Sequence, residues 1–180
     1  MTDTPEPAGG GAFAALSEQI AALHEGGGTT VTAGHLDLGP DLWLSTDPAG
    51  RAALTCRPSE AGFALKLEAG DSGAWACLGA RLPVDVLARG RYLGVMIEGD
   101  SRGALSFTPT LRYFAAEGGG LTDVPTPEPL VLAGRPRARL AWIPLDPALL
   151  AASAASEVNL FFHNDGMELD VARLEILLIL

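Results

Sequence analysis

The sequence predicts an all-β protein, an antiparallel β-sandwich preceded by one short N-terminal helix. Three observations predict this fold class: apolar residues alternate with a period of two in most segments, turn residues recur about every ten residues, and the chain ends in the long apolar run 174–180. A chain of 180 residues can bury one substantial core, whereas two domains would both be small. We therefore expect a single β-sandwich domain over residues 29–180.

The segment before this domain contains the one clear helical pattern. Residues 1–11 are rich in Pro, Glu and Gly and are predicted to be a disordered tail. Three glycines at 26–28 end the helix, which is expected within 12–26. Its apolar side chains recur at helical spacing, at Phe13, Leu16, Ile20 and Leu23. This stripe must be buried, either by closing one end of the sandwich or by packing against a second subunit.

Strands follow one another from Thr29 onward. Asp, Pro and Gly at 47–50, 71–73 and 100–103 suit hairpin turns between them. Residues 117–129 form one long predicted loop, and 145–156 form either a short helical turn or a packed loop. The strands are predicted near 30–38, 41–46, 51–57, 62–69, 74–82, 91–98, 104–115, 129–132, 137–143, 157–163 and 167–180.

The last two strands carry the strongest pattern. Asn164-Asp165-Gly166 favours a tight turn, which predicts a hairpin between them. In the second strand the core-facing parity changes near Ala172-Arg173, which predicts a β-bulge there. Because 175–180 has almost no polar face, we expect this strand in the middle of a sheet and covered on both sides.

Charge and composition exclude several classes of partner. Twelve Lys and Arg against 22 Asp and Glu leave a net charge of −10, which disfavours nucleic acid and anionic membranes. The first residues lack a secretory signal pattern, so a cytoplasmic location is expected. The sequence leaves open whether Cys56 and Cys77 form a disulfide or remain separate buried thiols.

Two serine motifs are the main indications of an enzyme. Gly70-Asp71-Ser72-Gly73 is similar to the nucleophile signature of trypsin-like proteases, with His35 in a segment resembling their histidine motif, but the two lie too close in sequence for two barrels. Ser101 lies in a G-x-S-x-G pattern, but a strand follows where a nucleophile elbow needs a helix. A serine hydrolase is therefore a distant alternative, and we predict a protein that is not an enzyme.

Neither a cofactor nor a metal site is expected. The three histidines are scattered along the sequence, and the glycine run at 118–120 lacks the lysine and helix of a phosphate-binding loop.

The domain from about Thr29 to Leu180 resembles galactose-binding-like jelly-roll sandwiches, the fold of many carbohydrate-binding modules. The resemblance rests on Ala74 to Pro83 ahead of a Leu-Gly-Val-Met-Ile strand, and on Val158 to Phe162 leading into a strand that contains Arg173 to Ile176. It implies a non-catalytic module that binds a glycan or small sugar on a polar concave sheet face. The alternative is a homodimer or other assembly that uses the N-terminal helix.

The predicted ligand site combines aromatic rings, which cover the C–H faces of sugars, with polar groups that bind hydroxyls. Trp43 and Trp142 are further aromatic residues, of which Trp43 is also a candidate for stacking. Arg112 is the preferred site residue, because Thr108 and Thr110 lie in its row. The predicted ligand-binding residues are Arg112, Thr110, Thr108, Tyr92, Glu98, Asp100, Trp75 and His163.

Overall fold

The computed structural model describes residues 11–71, 73–163 and 166–180. These residues form two antiparallel sheets with three short helices, which confirms the predicted all-β sandwich. Residues 1–10 of the predicted tail and Asn164 and Asp165 of the predicted turn lie outside the described residues. The helices are α1 (Ala14–Ala22), α2 (Val84–Leu87) and α3 (Pro147–Ala151). The strands are β1 (Thr29–Thr32), β2 (Gly34–Gly39), β3 (Leu42–Thr46), β4 (Ala53–Pro58), β5 (Phe63–Leu67), β6 (Ala76–Leu82), β7 (Tyr92–Ser101), β8 (Ala104–Ala115), β9 (Leu121–Pro125), β10 (Leu130–Ala133), β11 (Arg137–Pro144), β12 (Ser153–Phe162) and β13 (Met167–Ile179).

The strands divide between a six-stranded and a seven-stranded sheet. The six-stranded sheet has the order β1-β4-β5-β13-β7-β11. The seven-stranded sheet has the order β10-β8-β12-β6-β3-β2, and β9 pairs with another stretch of β8. Each sheet therefore turns one face toward the shared core and one face outward.

The core forms from alternate residues of both sheets. Leu93 and Val95 of β7 are fully buried, as are Phe107 and Leu111 of β8 in the opposite sheet. Each such side chain stabilises the fold by about 1.5–3 kcal/mol relative to an exposed position. Because the side chains alternate, the residues between them belong to the outer faces.

The connections at 47–50, 71–73 and 100–103 are not hairpins, so that part of the prediction is wrong. They join β3 to β4, β5 to β6 and β7 to β8, and each pair has one strand in each sheet. Asp and Gly suit any sharp reversal of the backbone, so they do not determine whether the next strand pairs with the previous one. At all three places the chain passes from one sheet to the other.

The predicted C-terminal hairpin is wrong for a related reason. β12 lies between β8 and β6, whereas β13 lies between β5 and β7 in the other sheet. Both edges of each strand are occupied, so neither can pair with the other. The predicted bulge is confirmed by a register shift between Val171 and Arg173. β13 lies inside its sheet, as predicted. The prediction that both faces of this strand are buried is wrong, because Ile179 is 40% exposed.

Three predicted segments also differ in detail. The strand at 30–38 is divided at Ala33, whose φ is 54°, into β1 and β2 of different sheets. The long loop at 117–129 contains β9. Segment 145–156 contains α3, whose first turn is capped by the Asp146 carboxylate, which accepts hydrogen bonds from the backbone of Ala148 and Leu149.

Helix α1 closes one end of the sandwich, which confirms the first of its two predicted arrangements. Phe13, Leu16 and Ile20 are 4–8% exposed and belong to the core. The side-chain oxygen of Gln19 accepts a hydrogen bond from Asp41 N at 2.8 Å, which ties the helix to the β2–β3 turn. The helix therefore buries its apolar stripe within its own chain. Within the described residues, no helix has the length and apolarity needed to cross a membrane.

Deleting residues 174–180 tests whether β13 holds the six-stranded sheet together. The deletion removes its pairing with β7 from Leu174 to Ile179 and three buried side chains. At about 1.5–3 kcal/mol each, their loss approaches the total stability of a typical domain. We expect thermal unfolding by circular dichroism to lose its cooperative transition. The control removes only Leu180, which is 69% exposed, and should melt like the full chain. A cooperative melt of the longer deletion would contradict this role.

Candidate functional site

A pocket of about 380 Å³ opens on the outer face of the seven-stranded sheet. Five strands and the segment before β6 contribute to its wall. Three of its side chains carry large aromatic rings, and none of the ten described lining residues is aliphatic. The lining residues are His35, Trp43, Ser45, Trp75, Cys77, Arg81, Arg112, Glu157, Asn159 and Phe161.

Strand register brings these residues together. In β12, Val158 and Leu160 point into the core, so Glu157, Asn159 and Phe161 point outward. Glu157 lies opposite Arg112 of β8 on one side and Arg81 of β6 on the other. Two neighbouring strands thus place charged groups on both sides of β12.

Trp43 forms the floor of the pocket because the next strand carries a glycine beneath it. The indole is only 7% exposed and lies against Gly79 of β6, opposite Trp43 in the sheet. A β-carbon at Gly79 would overlap the indole and approach Asn159 Oδ1 to 2.5 Å. The absence of a side chain at this position therefore lets the ring lie flat on the sheet.

Arg112 is fixed by carboxylates on both sides. Its Nε and Nη2 donate to the two Asp123 oxygens at 2.7 Å each, a bidentate pair. Nη1 lies 3.5 Å from Glu157 Oε1, which also accepts a hydrogen bond from Asn159 Nδ2 at 2.9 Å. The hydrogen bonds with Asp123 raise the pKa of Arg112 above its ordinary value. The guanidinium therefore stays charged, and its position is set before any ligand arrives.

The guanidinium also lies over an aromatic ring. Arg112 Cζ is 5.9 Å from the centre of the Phe161 ring, within the range of a cation–π contact. This contact joins the polar network to the aromatic part of the pocket.

Asp47 holds the segment that carries Trp75 at the rim of the pocket. Its carboxylate accepts hydrogen bonds from Ala74 N at 2.7 Å and Ala49 N at 2.8 Å, and its own backbone N donates to Trp75 O. These backbone donors lower the pKa of Asp47, with Ala74 the larger cause. On the other side of the pocket, the His35 ring lies 5.6 Å from Trp43.

The structure brings five of the eight predicted site residues to this sheet face or its margin. Arg112 and Trp75 line the pocket. Thr108 and Thr110 share the outward face of β8 with Arg112, but Thr110 is 5% exposed and bonds to Thr108 O at 3.4 Å. The Thr108 hydroxyl lies 2.6 Å from His163 Nε2. These last three lie beside the pocket.

The other three predicted residues lie on the opposite side of the molecule. Tyr92, Glu98 and Asp100 belong to the outward face of β7, which is in the six-stranded sheet. They cannot contact a ligand held by Arg112, because the core separates the two faces. The alternation with Leu93, Val95 and Ile97 correctly predicted the common face of Tyr92 and Glu98, whereas Asp100 was assigned to a turn. The sheet to which β7 belongs could not be predicted from the sequence.

Sequence reasoning missed Glu157, Asn159 and Phe161 as site residues, although Asn159 and Phe161 alternate with Val158, Leu160 and Phe162 in the sequence. It also missed Asp123, because β9 was assigned to a loop. The sequence feature that could have predicted this strand is the pair of β-branched residues, Thr122 and Val124, on either side of Asp123.

The Ser101 motif does not form a nucleophile elbow in the described residues. Ser101 is 5% exposed, and its hydroxyl donates to Gly103 O at 2.7 Å and to Leu132 O at 3.2 Å. Strand β8 follows it rather than a helix. His35 Nε2 lies 3.0 Å from Asp37 Oδ1, and Ser72 lies outside the described residues. Within the described chain, no group of three or more His, Cys, Asp or Glu side chains is placed to hold a metal ion.

The two cysteines are separate buried thiols. Cys56 faces the core from β4, whereas Cys77 lies on the outward face of β6 in the other sheet. Burial raises the pKa of Cys56 to about 11 and that of Cys77 to about 12. The disulfide left open by the sequence does not form in this structure.

Comparisons with known proteins agree with this architecture. No protein-family model matches the sequence, and a search of curated proteins gives no match. Among solved structures, the chain is similar to the CBM22-1 xylan-binding domain of Xyn10C from Paenibacillus barcinonensis, with a TM-score of 0.52, 10% identity and coverage of 84% of this chain and 93% of that one. It is also similar to the CBM22-1-CBM22-2 tandem domain of the same protein, with a TM-score of 0.53, 9% identity and coverage of 84% and 44%. The chain thus has the jelly-roll β-sandwich fold of carbohydrate-binding modules, as the resemblance implied.

Replacing Gly79 by alanine tests whether this position holds the floor of the pocket. The new methyl group would displace the Trp43 indole, and overpacking of this kind costs about 1–3 kcal/mol. We expect lower stability in denaturant unfolding and a shifted tryptophan emission. The matched control is Gly120→Ala, where nothing lies within 4 Å of the added carbon, and its stability should change little. Equal stabilities of the two variants would contradict the proposed contact.

Reactivity of the thiols tests their burial. A rise of the Cys77 pKa from 9.0 to about 12 lowers its thiolate population near pH 8 about a thousandfold. We expect a disulfide reagent such as DTNB to label neither cysteine rapidly in the native protein, and to label two thiols after unfolding without a reductant. Fast native labelling would show that the sites open, and labelling of no thiol after unfolding would show a disulfide.

Proposed function

We propose that the protein binds a neutral carbohydrate in the pocket on the outer face of its seven-stranded sheet. The observation that carries the proposal is the lining itself, in which aromatic rings surround a fixed polar network and no described residue is aliphatic. A volume of about 380 Å³ is near the lower end of the usual range for small-molecule sites. This volume is suitable for a short oligosaccharide.

The rings and the polar groups match the two parts of a sugar. Pyranose rings present C–H patches that favour aromatic faces, and Trp75 and Phe161 are both half-buried side chains at the pocket surface. Of the five N–H donors of Arg112, three are directed at Asp123 and Glu157, which leaves two for a ligand. Hydroxyl groups can both accept from these donors and donate to the Glu157 carboxylate.

The charge balance supports a neutral ligand rather than an acidic one. Two arginines line the pocket, but Glu157 lies between them, and Asp123 holds Arg112 in a bidentate pair. The chain as a whole carries a net charge of −10, which repels polyanions. We therefore expect the choice among ligands to depend on hydrogen-bond geometry and ring stacking.

The alternative function, assembly through the N-terminal helix, has less support than carbohydrate binding. The large apolar side chains of this segment, Phe13, Leu16 and Ile20, are buried in the core of the same chain, which leaves less apolar surface for a partner.

A glycan array followed by calorimetry tests the proposed site. Xylo-oligosaccharides are the first probes, because the similar Paenibacillus domain is described as xylan-binding. We expect Trp75→Ala to weaken binding about tenfold or more, since stacking and burial of an indole contribute at least about 1.4 kcal/mol. Arg112→Lys should also weaken binding, because lysine keeps the charge but cannot form the bidentate pair with Asp123.

Tyr92→Ala is the matched control, because it removes an exposed aromatic ring from the opposite face of the sandwich. Its affinity should equal that of the unmodified protein. Binding that is lost in Tyr92→Ala but retained in Trp75→Ala would move the site to the other sheet. The absence of binding to any neutral glycan would overturn the proposed function.

A further inference from the structure

Three arginines lie together along one side of the sandwich, where an edge strand of one sheet meets an edge strand of the other. Arg137 and Arg139 belong to β11, at the edge of the six-stranded sheet, and Arg135 belongs to the turn between β10 and β11. Arg135 and Arg137 are exposed, and Arg139 is half-buried. We call this group of three residues the arginine margin.

The arginine margin has no carboxylate partner among the described residues. Seven of the twelve Lys and Arg residues lie within 4.0 Å of a carboxylate oxygen. The five without such a partner in the described part of the chain are Arg51, Arg91, Arg135, Arg137 and Arg139. A chain with 22 Asp and Glu offers many carboxylates, yet three of these five arginines lie side by side without one.

The side chains of β11 reach from one sheet toward the other. In the pairing with β7, Arg137 lies opposite Gly99 and Arg139 opposite Ile97, and both β7 residues are buried. Paired residues share a face, so the two arginines point toward the seven-stranded sheet. The Nε of Arg139 donates to the backbone oxygen of Val131 in β10 at 3.0 Å. The six-stranded sheet thus places positive charge at the edge of the sheet that carries the pocket.

The outer face of the seven-stranded sheet connects the pocket with the arginine margin. Phe161 of the pocket wall lies opposite Thr108 of β8, two residues from Ser106, which lies opposite Val131 of β10. Strands about 4.8 Å apart and a two-residue repeat of about 6.8 Å place Val131 roughly 12 Å from Phe161. The surface between them includes the Thr108 hydroxyl, 2.6 Å from His163 Nε2. A polysaccharide that leaves the pocket on this side therefore passes over polar groups before it meets the arginines.

We propose that the arginine margin binds a carboxylate on a side group of the polysaccharide whose neutral main chain occupies the pocket, an inference that rests on the proposed function. Guanidinium groups bind carboxylates through paired, charge-assisted hydrogen bonds. Arg139 directs two of its five N–H donors at backbone oxygens, which leaves three for a ligand. Arg137 directs no side-chain donor at an acceptor in the described chain, so all five of its donors are available.

The net charge limits the ligand to scattered acidic groups. A chain with a net charge of −10 repels a densely charged polymer, whereas three arginines at one margin attract an isolated carboxylate. The pocket, in which carboxylates balance the arginines, binds the uncharged sugar residues nearby. The ligand class is therefore a neutral polysaccharide with occasional acidic side groups. The continuous surface favours this ligand over an acidic protein segment, which needs no connection with the pocket.

Charged side chains on an edge strand also prevent pairing with strands of other molecules. That role requires charge alone and does not depend on what the pocket holds. The two roles therefore differ in one measurable property, because only a ligand-binding margin makes affinity depend on an acidic group of the ligand.

Calorimetry with two matched ligands at low salt tests the proposal. The probes are a linear xylo-oligosaccharide and the same oligosaccharide with one glucuronic acid side group. We expect the acidic ligand to bind about two- to fivefold more tightly, as one exposed ion pair allows. Added salt should remove this preference, because it screens exposed charges. In Arg137→Gln/Arg139→Gln the two ligands should bind equally, with the affinity for the neutral ligand unchanged.

Arg89→Gln/Arg91→Gln is the matched control. It removes the same two charges from exposed positions just before β7, whereas Arg137 pairs with Gly99 near the other end of that strand. The preference for the acidic ligand should remain in this variant. Circular dichroism establishes that both double variants fold.

Equal affinity of the parent protein for the two ligands would overturn this inference and leave the proposed function intact. A preference that both double variants retain would do the same. The absence of binding to either ligand would overturn the proposed function and this inference with it. Binding of a hexaglutamate peptide that only Arg137→Gln/Arg139→Gln abolishes, together with equal affinity for the two oligosaccharides, would assign the margin to an acidic protein segment instead.

Discussion

Each strand in this protein contributes to two surfaces at once, and that constraint determines where its functional groups lie. Side chains alternate across a strand, so burying one set in the shared core commits the other set to an outer face. In β12, burial of Val158 and Leu160 directs Glu157, Asn159 and Phe161 into the pocket. In β7, burial of Leu93 and Val95 directs Tyr92 and Met96 to the outer face of the six-stranded sheet.

The alternation itself could be predicted from the sequence, and so could most strand positions and the bulge at Ala172. Membership of a sheet could not. A strand followed by Asp and Gly has the same sequence pattern whether the next strand pairs with it or lies in the other sheet. Turn residues act locally, whereas strand pairing depends on residues that are distant in the sequence. For this reason Arg112 and Trp75 were placed together correctly, whereas Tyr92, Glu98 and Asp100 were grouped with residues of the opposite face.

The two outer faces share one structural device but surround it with different chemistry. On each face an indole lies across a glycine of the neighbouring strand, Trp43 on Gly79 and Trp142 on Gly94. Around Trp43 the neighbours are polar, and they include Asn159, which is 2% exposed and donates a hydrogen bond to Glu157. Around Trp142 the neighbours are Leu177, Met96 and other apolar residues. The same contact between an indole and a glycine therefore occurs in two surroundings of different polarity.

The Arg112 network would make the proposed carbohydrate site selective, although that site is partly solvated. Exposed ion pairs add little stability, but a bidentate pair fixes the direction of the donors that remain. Asp123 comes from β9 at the sheet margin and Glu157 from the central β12, so the guanidinium is held from both sides. A ligand that meets fixed donors loses less entropy in ordering them, and one with hydroxyls in other directions leaves polar groups unpaired. If the pocket binds a carbohydrate as proposed, this arrangement would favour a particular geometry of hydroxyl groups over a particular net charge.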